Sequence, residues 1–179
     1  MLRLLDHYKK HVVPSLKKEF GIKNAMAVPR IVKVVVNVGT GRVHKDDKIL
    51  ERVSRDLAMI TGQRPAPRAS KKSIASFKVR QGAAVGSIAT MRGPRMWDFI
   101  DRLISLALPL SKDFRGIEEK NIDTHGNLNL GIKEHSIFPE VTLENMKDIF
   151  SLQITVNTTA KNHAQGVALL RHLGFPIKS

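Results

Sequence analysis

The residues of this chain able to do chemistry are few and poorly grouped. His7 and His11 stand four apart, a spacing that can hold zinc on one helical face. No acid or third histidine stands at a fitting local position, so the pair reads as a polar helix face, and no metal site is expected. Gly39-Thr40-Gly41 could be the start of a nucleotide-binding loop. The full fingerprint needs a third glycine three residues on, where helix and strand must pack closely, and His44 stands there instead. The plainer reading is a glycine turn with room for a backbone to approach. There is no Gly-Lys-Ser/Thr phosphate loop and no Gly-x-Ser-x-Gly elbow. The carboxylate pairs Asp98/Asp101 and Glu118/Glu119 are better explained by helix charge and loop solvation than by acid–base catalysis. No catalytic residue and no cofactor is therefore expected.

Binding is the stronger chemical signal. Between Asp56 and Asp98 the chain has no acid, yet it carries Arg64, Arg68, Lys71, Lys72, Lys78, Arg80, Arg92 and Arg95. These eight charges exceed half of the formal net charge of +14. Like charges so crowded repel one another, and a polyanion relieves that repulsion. Nucleic acid is the obvious one, because each phosphate neutralised releases a counterion. Single-strand readers stack bases on exposed aromatics. The one Trp and the one Tyr lie on apolar helical stripes, and only Phe77 lies in the basic segment. A structured RNA gripped through backbone and shape fits better. The polar residues that share faces with bases then matter: Lys33 and Asn37 on one strand face, Thr90 and Arg92 on another, and Gln63 at the head of the basic segment. An enzyme using Gly39–Gly41 to hold the phosphate of an acidic or nucleotide substrate is the alternative of a different class.

The elements that must position these residues follow from periodicity. Leu4, Leu5, Tyr8, Val12, Leu16 and Phe20 predict an amphipathic helix over 2–20, kinked or divided at Pro14 and stopped at Gly21. The β-branched run 31–38 predicts a strand with Val32, Val34, Val36 and Val38 on its core face. A helix is expected over 46–60, opening at Asp46/Asp47. Two short strands should flank an exposed basic loop at about 68–82. A strand over 84–92 should lead to a helix from Pro94 to Leu108, before Pro109. Strands over 127–133 and 149–156 precede a last helix from Thr159 to Leu173. The pattern predicts an α+β fold: an antiparallel or mixed sheet with helices packed on one face and an RNA-binding opposite face. One domain over 1–179, with the basic loop projecting, suits the length.

Composition narrows the class further. With no cysteine there is no disulfide scaffold, thiolate metal site or cysteine nucleophile. Asp6 interrupts the apolar start at once, and no apolar run nears the ~20 residues that span a bilayer. A soluble intracellular protein without a membrane partner is expected.

Ordered blocks then make the chain recognisable. They include Asn37-Val38-Gly39-Thr40-Gly41, Ile60-Thr61-Gly62-Gln63-Arg64-Pro65, Lys72-Ser73-Ile74-Ala75-Ser76-Phe77-Lys78-Val79-Arg80, Met91-Arg92-Gly93, Asp113-Phe114-Arg115-Gly116 and Ile137-Phe138-Pro139-Glu140. Nearly end to end the chain resembles the bacterial-type ribosomal protein five of the large subunit, the 5S ribosomal RNA-binding family. The resemblance implies attachment of 5S RNA to the central protuberance, beside large-subunit RNA and the neighbouring 5S-associated proteins. It also implies contacts with peptidyl-site transfer RNA and with a small-subunit head protein, in a cytoplasmic or organellar ribosome. Carried over by position, Lys33, Asn37, Gly39, Gly41, Gln63, Thr90 and Arg92 are the 5S-facing set. Lys71, Lys72, Ser73, Lys78 and Arg80 are the transfer-RNA loop. Ile88 departs from the family, standing where relatives commonly have a base.

Overall fold

The computed structural model describes residues 3–41, 47–77, 79–111, 114–141 and 149–178. His44, Asp46, Lys78 and Asp113, named above, lie outside them. The fold is α+β, with a five-stranded antiparallel sheet. Its strands are β1 (Ile31–Gly39), β2 (Ala66–Ala69), β3 (Ala84–Met91), β4 (Leu128–Ile132) and β5 (Leu152–Thr158), in the order β2-β3-β1-β5-β4. No helix among the described residues is long and apolar enough to cross a membrane.

Alternation works as expected through most of the sheet. Val34, Val36 and Val38 are buried on β1, while Lys33, Val35 and Asn37 are half-buried. Val32 departs from this. It is 39% exposed, and Ile31 is buried instead. On β5, Leu152, Ile154 and Val156 are buried. That strand starts at Leu152 rather than 149 and runs on to Thr158. β2 pairs antiparallel with β3, with an irregularity between Arg68 and Ala69. The second short strand expected beside the basic loop is only an isolated bridge, Ile74 to Val79.

The chain forms two compact units. The first comprises Met1–Val34, Met91–Leu130 and Thr155–Ser179. Its N-terminal helix covers residues 3–20 and buries Leu4, Val12 and Leu16. Each such side chain, fully buried, contributes on the order of 1.5–3 kcal/mol. Tyr8 tilts against Trp97 at 5.5 Å, and its hydroxyl donates to the Pro29 carbonyl at 2.9 Å. Burial pushes the Tyr8 phenol pKa up, against the opposing pull of Arg30. Gly21 ends the helix in the left-handed region, at φ 63°.

Proline shapes two helices in the same way. Tyr8–Val12 is a π-helical turn immediately ahead of Val13–Phe20, which contains Pro14. Gly93–Arg102 likewise passes into a π-helical turn, Leu103–Ala107, before Leu108–Leu110, which contains Pro109. Proline lacks an N–H and its ring clashes with the carbonyl four residues back. A wider turn at that point moves the carbonyl aside. The second helix therefore runs through Pro109 to Leu110, where the sequence predicted an end at Leu108.

The last helix begins at His163, not Thr159. Threonine side chains hold the intervening backbone in other bonds. The Arg30 amide donates to Thr159 Oγ1 at 3.0 Å, and Thr158 Oγ1 donates to the Gly126 carbonyl at 2.9 Å. These long-range bonds tie Thr158 and Thr159 to Gly126 and Arg30, and the helix starts beyond them. Beside them, Gly126 and Gly166 approach so closely that a Cβ on Gly166 would overlap the Gly126 Cα.

The second unit comprises Val35–Thr90 and Gly131–Ile154. Its helix Asp47–Thr61 buries Val53, Leu57 and Ile60. Asp56 and His135 are also buried, with His135 Nε2 3.9 Å from Asp56 Oδ2. The His135 ring stacks on Phe150 at 3.8 Å, and its Nδ1 accepts from the Phe150 amide at 3.3 Å. No local sequence signal announces this pair, because its members are far apart in the chain.

Candidate nucleic-acid interface

Of the eight bases in the acid-free segment, seven fall among the described residues. Arg64, Arg68, Lys71, Lys72, Arg80, Arg92 and Arg95 are all exposed, and none has an ion-pair partner among the described residues. Folding has thus left the charge uncompensated, so the repulsion inferred from sequence persists in the folded chain.

The structure joins Gln63 to Thr90. Thr61 ends its helix with Oγ1 donating to the Leu57 carbonyl at 2.7 Å. Gly62 then turns the chain at φ 70°. That turn carries the Gln63 amide to the Thr90 carbonyl, to which Nε2 donates at 2.8 Å. Thr90 is exposed, and its neighbours Ala89 and Met91 are buried. Arg92 follows in an extended conformation, φ −142° and ψ 165°, and is exposed in its turn. Alternation thus places Thr90 and Arg92 outward together, as expected. Ile88 is half-buried and lies opposite Ala66 across the β2–β3 pair.

Lys33 and Asn37 lie on β1, half-buried, with side chains that have no hydrogen-bond or ion-pair partner among the described residues. Gly39 and Gly41 are exposed, neither has a positive φ, and a Cβ on either would meet nothing within 4 Å. Their conformation does not require glycine, and no described residue fills the space beside them. Thr40 between them is different. Its amide donates to the Val85 carbonyl at 2.9 Å, and its side chain is buried with Oγ1 unpartnered among the described residues. Sequence reading passed over Thr40, and only the burial reveals it. A further close approach adjoins it, since a Cβ on Gly86 would stand 2.8 Å from the Val38 carbonyl oxygen.

The basic loop is closed by its own bonds. The Ser70 amide donates to Ala83 at 2.8 Å, and Gly82 donates back to Ser70 at 2.9 Å. Ile74 and Val79 exchange backbone bonds across the short helical turn Ala75–Phe77. Ser73 Oγ accepts from the Gln81 amide at 2.9 Å, which makes it a brace across the loop as well as a polar group on it. Lys71, Lys72 and Arg80 project into solvent, together with Phe77, which is 70% exposed.

His7 and His11 stack at 5.2 Å, and His7 Nε2 donates to the His172 carbonyl at 3.1 Å. Among the described residues no group of three metal-ligating side chains exists.

Comparison with known proteins adds the missing context. Residues 24–80 match the family described as ribosomal protein L5, and residues 84–177 match the ribosomal L5P family C-terminus. The chain belongs to the ribosomal protein L5 family. It is similar to the large ribosomal subunit protein uL5 of Acidothermus cellulolyticus, at 51% identity over 98% of this chain and 90% of that one. It is also similar to the proteins of that name from Dichelobacter nodosus, at 47% over 99% of both chains, and Chloroflexus aurantiacus, at 46% over 99% and 98%. L5 proteins are structural, not enzymes, so Gly39–Gly41 is not the phosphate loop of an enzyme.

Proposed function

We propose that this chain is a structural constituent of the large ribosomal subunit that binds 5S ribosomal RNA and helps attach it to the central protuberance. The carrying observation is the set of seven exposed bases without an ion-pair partner among the described residues, in a member of a ribosomal protein family. The 5S contacts are Lys33, Asn37, Gly39, Gly41, Gln63, Thr90 and Arg92, with the protein gripping backbone and groove shape. The loop residues Lys71, Lys72, Ser73, Lys78 and Arg80 meet peptidyl-site transfer RNA. A small-subunit head protein, large-subunit RNA and neighbouring 5S-associated proteins complete the partners, within the ribosome.

Retention of 5S RNA as a function of salt tests this reading. About 4–8 neutralised phosphates make log affinity fall steeply with log salt. Arg92→Ala should weaken binding by roughly 1–3 kcal/mol, as for a lost charge-assisted bond, without unfolding the chain. Tight binding with a flat salt response, or no binding at all, sinks the proposal.

A further inference from the structure

A second concentration of charge lies in the first thirty residues of the chain, within the first unit. Residues 1–30 carry seven bases against two acids, Asp6 and Glu19. Glu19 is taken by His172, whose Nε2 donates to it at 3.1 Å. Of the bases, Arg3 pairs with Asp101 at 3.5 Å. Lys9, Lys10, Lys17, Lys18 and Lys23 have no ion-pair partner among the described residues, and all but the half-buried Lys17 are exposed. The opposite stripe of the same helix, Leu4, Val12 and Leu16, is buried and fixes the helix rigidly.

We propose that this lysine face of the N-terminal helix is a second RNA-binding surface, one that grips the phosphate backbone of a double-stranded segment. Lys10 and Lys18 are eight residues apart, which at the helical rise is ~12 Å. A nucleic-acid duplex presents a charge about every 1.7 Å of its axis, so the span faces several phosphates at once. Double-stranded rather than single-stranded RNA follows from the aromatic inventory. The one aromatic ring of the helix apart from its histidines and Phe20 is Tyr8, which tilts against Trp97 and bonds to Pro29, so it offers no exposed platform for bases. Lysines are compact point charges that hold phosphates without reading sequence. The surface is therefore indifferent to base identity, and it shares no residue with the sheet and loop sets assigned above.

The test uses the full chain carrying Lys71→Ala, Lys72→Ala and Lys78→Ala, so that the basic loop contributes nothing, and a 24-base-pair RNA duplex of arbitrary sequence as the probe. Lys9, Lys10 and Lys18 are changed together to Gln, which matches Lys in helix propensity, and separately to Arg, which keeps the charge. Thermal melting checks the fold of both. The Gln variant should bind the duplex at least tenfold more weakly at low salt, and its slope of log affinity against log salt should fall by one or more, while the Arg variant keeps both. A slope change below one overturns the proposal. So does an Arg variant that weakens as much as the Gln variant, which would make the lysines structural. Because the probe is not 5S RNA, failure here leaves the 5S reading standing, and failure of 5S binding leaves this one standing.

Discussion

Gln63 Nε2 donates to the main-chain carbonyl of Thr90 at 2.8 Å, tying the turn after one helix to the end of β3. The bond is exposed, so its net contribution to stability is at most about 1 kcal/mol. Its larger effect is to fix where Thr90 and Gln63 stand relative to each other. Gln63→Ala should therefore leave the urea midpoint nearly unchanged and lower 5S RNA affinity by several-fold. A large loss of stability with unchanged affinity would make Gln63 a brace and nothing more.

The glycines divide into two kinds. Gly39→Ala and Gly41→Ala add a methyl group that meets nothing, so melting temperature should hold while RNA binding falls if a backbone passes over them. Gly166→Ala adds a methyl group that would overlap the Gly126 Cα and stand 2.8 Å from the Gly126 carbonyl oxygen. Overpacking of backbone against backbone should cost ~3 kcal/mol or more. A calorimetric scan of the three variants separates the two kinds.

Lys71, Lys72 and Lys78 changed together to Ala should keep 5S RNA affinity within about tenfold, since distant contacts are roughly additive. Ribosomes carrying the change should retain peptidyl-site transfer RNA less well, most visibly at high salt. Loss of 5S binding by this variant would place the loop in the 5S contact and end the division of labour proposed.

Asp123 gives a pH dependence. Burial pushes its carboxyl pKa up, but bonds from the Asn127 side chain and from the Asn127 and His125 amides, at 2.8–2.9 Å, outweigh that and hold it below its ordinary value. A lowered carboxylate adds stability above the ordinary value near 3.8 and loses it as pH falls through the lower folded value. Asp123→Asn should thus be less stable than the parent at pH 6, and the gap should narrow on acidification below pH 4. Urea midpoints across that range check it.

Periodic elements were legible in the sequence because burial follows period. The valines of β1 and the stripe Val53, Leu57 and Ile60 announce themselves. Boundaries set by side-chain bonds were not. Thr158 and Thr159 carry good helix context yet bind backbone elsewhere, and Pro109 reads as a stop although a π turn accommodates it. At the candidate site, unpaired charge was countable from composition alone. The Gln63–Thr90 bond and the buried hydroxyl of Thr40 depend on residues brought together over 27 positions or on burial, which composition cannot show.

The two π turns have a consequence for chain length. Each holds one residue more than an α-helical turn needs, at a point where the next proline already forbids ordinary packing. Deleting a single residue within Tyr8–Val12 would restore α geometry and leave Leu4 on the side of the helix that Leu16 occupies, because the turn absorbs its extra residue within one revolution. The carbonyl four residues before Pro14 would then swing back against the proline ring. The extra residue is thus a spacer that serves the proline and leaves the phase of the leading segment untouched.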